Sequence, residues 1–184
     1  MELEELLPLV MPRVPSCPRS VAIGALRDAA RDFARQTHVM RAEVDLPPTD
    51  PPQSLYEVAA PPDTELIAVA GAEDESGRPL AVFFDPPATI GFARALTVPA
   101  TVVLVTMPER TAPEMPDVFA SRWDEAIKDG ALFRLMSMPH VDWTHPQLAD
   151  THMQLFQRAV DEAKGGAARK QSHAAMRVKP RSFV

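Results

Sequence analysis

The sequence predicts an α+β fold: a three-helix bundle formed from both chain ends, with an inserted small antiparallel β-sheet or sandwich and an extended C-terminal tail. Three observations carry this reading. Apolar residues recur at three- and four-residue spacing in Val21–Thr37 and again from Pro116 to Val160, which is the period of an amphipathic helix. Between them, Val39–Met107 changes to short β-branched runs separated by prolines and turn residues. From Lys164 onward the charge is wholly basic. The implied division is a bundle over 1–38 and 108–164, a β insertion over 39–107, and a basic docking tail over 165–184.

The 184 residues suffice for one domain, or for one domain with an insertion and a tail, and for a real apolar core. Twenty prolines are roughly twice ordinary usage. They cluster at 47–52, 61–63 and 85–87, so they stiffen loops around strands. Residues 1–19 carry Pro8, Pro12, Pro15 and Pro18 and are expected to be extended, apart from a short turn at Leu3–Leu7. The opening MELEELLPLVMP is acidic and proline-containing, unlike a secretory signal, and no apolar run reaches the ~18 residues of a membrane span. Cys17 is the only cysteine, which fits a chain made in a reducing cytoplasm.

Ser20 is placed to cap a helix over Val21–Thr37. Leu26, Ala29, Ala30, Phe33 and Thr37 form its buried stripe, and Arg27, Asp28, Arg31, Asp32 and Arg35 its mixed-charge outer face. The runs MRAEVDL, SLYEVAA, ELIAVAGA, LAVFF, TIGFARAL and ATVVLVTM follow, and about five or six strands are expected from them. EDESGRP (73–79) reads as a hairpin loop, with Gly77 suited to positive φ.

The stretch Pro116–Val160 organises the rest. Pro116 and Asp117 suit a helix start. Phe119, Trp123, Ala126, Ile127, Gly130, Ala131, Phe133, Leu135 and Met138 continue one apolar side until Pro139 ends the helix. In the loop HVDWTH, Thr144 is placed to cap the second helix, with Pro146 in its first turn. Leu148, Met153, Leu155, Phe156, Ala159, Val160 and Ala163 are expected to line its apolar side. The short loop favours an antiparallel hairpin. Gly165-Gly166 is expected to give a break or a hinge before the tail.

Chemistry-bearing motifs are scarce. There is no Gly-rich phosphate loop, G-x-S-x-G, C-x-x-C or H-E-x-x-H, so the reading is not an enzyme, with no cofactor and no resident metal. Cys17 reads as a small buried apolar side chain rather than a nucleophile. His140, Asp142, His145, Asp150 and His152 have metal-ligating side chains, but loop polarity and capping explain them better; the metal alternative would be a hydrolase using His140, Asp142 and His145. Asp117, Asp124, Glu125 and Asp129 read as a solvated helix face. Trp123 and Trp143 are candidate core and loop anchors and candidate subunit-interface residues.

Charge supplies the strongest functional signal. Lys164, Arg169, Lys170, Arg177, Lys179 and Arg181 are six bases with no acid among them. Setting them aside from the 19 basic residues leaves 13 against 25 acidic in 1–163, a formal charge of −12. An acidic body repels nucleic acid, while a basic tail seeks a partner. The tail has three readings: a solvated end, a DNA contact, or docking on an acidic protein groove.

Two stretches resemble the head–tail adaptor (connector) proteins of tailed bacteriophages, the tail tubular protein A-like group. The first is VPSCPRSVAIGALRDAARDFARQT at Val14–Thr37: a Pro-x-Cys-Pro turn, a helix with L-R-D-A-A-x-x-F, and a closing R-x-T. Ser16 stands where a glycine is common, and His38-Val39-Met40 where an aromatic residue often follows. The second is W-x-E/D-A-I-x-x-G-A-L-x-R-L at Trp123–Leu135, followed by Met138-Pro139, Asp142-Trp143, P-x-L-A at Pro146–Ala149 and H-x-x-x-F at His152–Phe156. The resemblance implies a homo-oligomeric ring, expected to be a dodecamer, at the virion neck between the portal protein and a downstream tail or nozzle protein. Double-stranded DNA would pass through it without specific binding. The resemblance further implies that the C-terminal segment inserts between portal subunits, with Arg169, Lys170, Arg177, Lys179, Arg181, Phe183 and Val184 as docking residues. It implies assembly in the host cytoplasm and no membrane partner. The alternative reading is a sequence-tolerant nucleic-acid-binding protein that uses the same basic tail.

Overall fold

The computed structural model describes residues 3–112, 114 and 116–171. It shows mixed helix and strand with small antiparallel sheets, in keeping with the α+β expectation. Arg177, Lys179, Arg181, Phe183 and Val184 lie outside the described residues.

The N-terminal segment departs from the extended course expected of it. It coils through a 3-10 turn at Leu3–Leu6, a one-turn helix α1 (Leu7–Val10) and a second 3-10 turn at Met11–Arg13. Pro8 and Pro12 each fall at the start of a turn, where the missing N–H costs nothing. The coil buries Leu3, Leu6, Leu7, Val10, Val14 and Cys17, whose spacing is helical. Those six side chains outweigh the prolines' extended preference.

Helix α2 (Arg19–Thr37) starts earlier than expected. Pro18 holds the N-cap position, and Ser20 lies inside the first turn without capping it. The stripe Leu26, Ala29, Ala30, Phe33 and Thr37 is buried as expected, and Ala22, Ala25 and Ala34 join it. Arg31 is a correction: it is 6 % exposed, not part of a solvated face. His38 ends the helix at φ 54°, its N–H donating to the Ala34 carbonyl at 2.9 Å.

Each of the six runs holds a strand: β1 (Arg41–Leu46), β2 (Leu55–Glu57), β3 (Thr64–Asp74), β4 (Val82–Asp85), β5 (Thr89–Phe92) and β6 (Ala100–Pro108). They form two antiparallel three-stranded sheets, in the orders β1-β6-β3 and β2-β5-β4. The 73–79 loop turns on Gly77 at φ 76°. The Asp74 carboxylate accepts from the Ser76 N–H, the Ser76 hydroxyl and the Arg78 N–H at 2.9, 2.6 and 3.0 Å. These bonds, the hydroxyl foremost, hold its carboxyl below the usual carboxylate range. The turn closes a bridge between Glu73 and Pro79, and the chain then leaves for the second sheet.

The larger sheet serves two cores, one on each face. Val102 and Leu104 of β6, with Val44, Leu46, Val69 and Ala72, pack against Ile90, Phe92, Tyr56 and Val82 of the smaller sheet. Met107 of β6 and Ile67 of β3 pack instead with the helices. Alternation along β6 sends successive residues to opposite faces. Two register shifts interrupt β3, between Leu66 and Ala68 and between Val69 and Gly71, and bend that strand.

The expected first helix of the hairpin is interrupted. Helix α3 (Asp117–Arg122) and helix α4 (Asp124–Met136) meet at Trp123, whose backbone (φ −125°, ψ 14°) is not helical. The step sets its indole 5.1 Å from the Phe33 ring. Helix α5 (Pro146–Gln171) runs through Gly165 and Gly166 without the expected break. Its buried residues include Ala149, His152, Phe156, Val160 and Ala163, whereas Leu148, Met153 and Leu155 are exposed, which corrects the expected apolar side. The α2, α4 and α5 helices pack pairwise around one core with Phe33, Phe119, Ile127, Leu132 and Leu135 at its centre. Gly130 lets them close: a Cβ there would sit 2.8 Å from the Phe156 ring and 3.0 Å from Ala29 Cβ.

Candidate functional site

The α4–α5 hairpin and the N-terminal coil bring together the side chains that sequence reasoning singled out. Trp123 is 6 % exposed and belongs to the core, with the Arg122 guanidinium 4.9 Å from its ring centre. Trp143 is half-buried at the core's edge, and its Nε1 is enclosed without a hydrogen-bond partner among the described residues. Together with Arg13, Pro15, Ser16, Met136 and Leu148 it lines a cleft of about 180 Å³.

The loop that carries Trp143 is built differently from the expected cap. The Thr144 hydroxyl accepts from the Val141 N–H at 3.3 Å and lies within hydrogen-bonding distance of the Met138 and Val141 carbonyls, so it ties the loop together behind the helix. His145 takes the capping place: its Nδ1 accepts from the Leu148 N–H at 3.4 Å. His140 adopts φ 60° at the turn after Pro139. His140, Asp142 and His145 are exposed, and among the described residues no group of three His, Cys, Asp or Glu side chains is placed to hold a metal ion.

A buried polar chain was not foreseen. His152 is 3 % exposed and Asp129 8 %, and His152 Nδ1 lies 3.0 Å from Asp129 Oδ1. Arg13 of the N-terminal coil reaches the other ring nitrogen, Nε2, at 3.2 Å. Lys128 Nζ stands 3.7 Å from the same Asp129 oxygen and also pairs with Glu125. Asp129 is therefore a correction to the solvated acidic face; Glu125 and Asp117 are exposed and Asp124 half-buried. One signal was available: Asp129 sits among Ala126, Ile127, Gly130 and Ala131, and His152 between Ala149 and Phe156, so both fall on apolar faces. Arg13, a lone base among prolines, carried no such signal.

The chain Arg13–His152–Asp129 has the order of a base and its orienting carboxylate, but a guanidinium occupies the nitrogen that would take a proton. Cys17 is 3 % exposed and its thiol donates to the Pro18 carbonyl at 3.5 Å. Burial pushes that thiol above its ordinary value, which suppresses the thiolate. Both arrangements suit a structural role.

A second unforeseen group joins the helices to the sheet. Arg31 grips the Glu65 carboxylate in a bidentate pair at 2.9 and 3.1 Å, and donates to the Pro108 carbonyl. The Arg31 hydrogen bonds, with Arg31 and Arg110 charge nearby, hold the Glu65 carboxyl below its usual range against a smaller opposing effect of burial. Arg134 pairs with Asp32 and so ties α4 to α2.

Arg169 and Lys170 fall on the last turn of α5, and the remaining predicted docking residues lie outside the described residues. No helix among the described residues is long and apolar enough to cross a membrane. Comparison with protein-family models and with curated proteins finds no match to this chain.

Proposed function

We propose that this chain is a structural head-to-tail adaptor of a bacteriophage virion: a ring below the portal that joins capsid to tail and lets double-stranded DNA pass. The observation that carries the reading is the charge split, a body of formal charge −12 over 1–163 followed by six bases and no acid. Such a body does not grip phosphates, so DNA slides past it. The basic segment, ending in Phe183-Val184, suits an acidic groove on the portal that also accepts an apolar end. In this reading the body is a three-helix bundle of both chain ends with a β insertion, and 165–184 is the docking tail. What supports it is that α5 runs on to Gln171, at the start of the basic segment. Trp123 is buried within its own subunit, so the proposed subunit contact rests on Trp143 and the exposed Leu148 beside it.

Electron microscopy of the chain mixed with its portal tests the ring. Deleting Arg177–Val184 is expected to abolish portal docking and leave the body folded by circular dichroism. Unchanged docking would refute the tail assignment, and a chain that stays monomeric with its portal would refute the ring. The tail's charge also favours a second reading, sequence-tolerant DNA binding. That reading requires a DNA affinity that falls steeply with salt, and a salt-insensitive or absent mobility shift removes it.

A further inference from the structure

We propose that His152 is a proton-operated latch: its neutral ring fastens the N-terminal coil to the α4–α5 hairpin through Arg13, and protonation expels the Arg13 guanidinium and opens the cleft beside Trp143. A guanidinium only donates hydrogen bonds and a carboxylate only accepts them. The ring meets Arg13 at Nε2 (3.2 Å) and Asp129 at Nδ1 (3.0 Å), so both contacts are satisfied together in one form alone. That form is the neutral tautomer with the proton on Nδ1, which donates to Asp129 while Nε2 accepts from Arg13. It is assigned from the partners.

Protonation places an N–H on Nε2. Two donors and two positive charges then face each other across 3.2 Å. The Asp129 contact survives, since Nδ1 still donates and now carries charge. The ring, 3 % exposed and enclosed between α4 and α5, has nowhere to go. Arg13 is exposed and moves into water at small cost. Arg13 also forms one wall of the Trp143 cleft, so its departure widens the space against Pro15, Met136 and Leu148. Imidazole is the side chain whose ordinary titration falls between about pH 5 and 8.

The charged groups around the ring are few. The N-terminal coil contributes Arg13, and α4 contributes Asp129 with Lys128 and Glu125 behind it. Among the described residues no other hydrogen bond or ion pair reaches the ring. His145 and Asp142 line the same cleft, so the test must separate them from His152.

The experiment follows the His152 ring protons and the Trp143 indole N–H of the full chain by NMR from pH 8 to pH 5. The expected result is a His152 titration whose midpoint the Trp143 signal shares. His152→Gln keeps a neutral donor and acceptor for Asp129 and Arg13 and is expected to abolish that component of the Trp143 shift. Should that variant not fold, Arg13→Met serves, because His152 should still titrate while Trp143 no longer follows it. A His152 that does not titrate in this range overturns the latch. So does a Trp143 shift that persists unchanged in the variant that folds.

Discussion

Arg31 shows how one side chain can decide an interface. Its charge is buried, so it is stable there only because Glu65 and the Pro108 carbonyl satisfy the guanidinium. Glu65 is more than a third exposed, and solvent discounts the pair. Glu65→Gln is therefore expected to destabilise the fold by about 1–2 kcal/mol at neutral pH, read by urea denaturation. The sign with pH follows from the depressed Glu65 carboxyl. Its contribution is complete above the unfolded value of about 4.3 and disappears as pH falls through the lower folded value. The gap between wild type and Glu65→Gln should thus be constant above about pH 5 and shrink in acid; a gap that widens in acid contradicts the pairing. Two glycines make a second contrast at this scale. A Cβ at Gly91 would run into the Phe83 ring, but Phe83 is 52 % exposed and its ring can swing aside. A Cβ at Gly130 would meet the Phe156 ring and Ala29 in the filled core, where neither has room. Gly130→Ala is expected to cost about 1–3 kcal/mol despite alanine's better helix propensity, and Gly91→Ala less than about 0.5, both by thermal melts.

At the scale of elements, the sheet and α2 were legible because periodicity and punctuation agreed there. Each of the six runs is short, β-branched and bounded by proline or a turn, and each is a strand. The failures came where a local rule met a tertiary demand. The prolines of the N-terminal coil argue for extension, but Leu3, Leu6, Leu7 and Val10 bury themselves by coiling, with prolines only at tolerated places. Nothing local marks the break at Trp123, which has neither proline nor glycine; its indole is drawn toward Phe33. The polar chain through His152 was unreadable in part because Arg13 lies 139 residues from its partner. Gly165-Gly166 is the instructive case, because the expected break is absent. Two glycines cost a helix up to ~2 kcal/mol against alanine, yet α5 continues through them. A Cβ at either position meets nothing within 4 Å. Gly165→Ala/Gly166→Ala should therefore raise helicity by circular dichroism and add about 1–2 kcal/mol, provided the glycines are only passengers in the helix. Lost stability would mean that the native α5 bends at these glycines.

At the scale of the whole molecule, the question is whether the helices and the strands behave as one unit. The strands form one continuous stretch of chain between α2 and α3, which would permit two independent modules. The sheet argues against that. Strand β6 contributes Leu104 to the core between the sheets and Met107 to the core under α2, so neither core can lose β6 without the other losing it. Arg31 adds a pin from α2 to β3 and to the end of β6. Both tryptophans report on the helical core, and Tyr56, the only tyrosine, on the core between the sheets. Urea unfolding followed by tryptophan fluorescence and by fluorine NMR of fluorotyrosine at position 56 should therefore give coincident transitions. Leu104→Ala empties a fully buried site on the sheet-facing side only and should cost about 2–5 kcal/mol. If the two cores share β6 as one cooperative unit, it lowers both midpoints equally, although both tryptophans lie on the other side of the sheet. A midpoint that falls for Tyr56 while the tryptophan transition stays in place would mean that the strands unfold alone, and that β6 passes packing but not cooperativity from one face to the other.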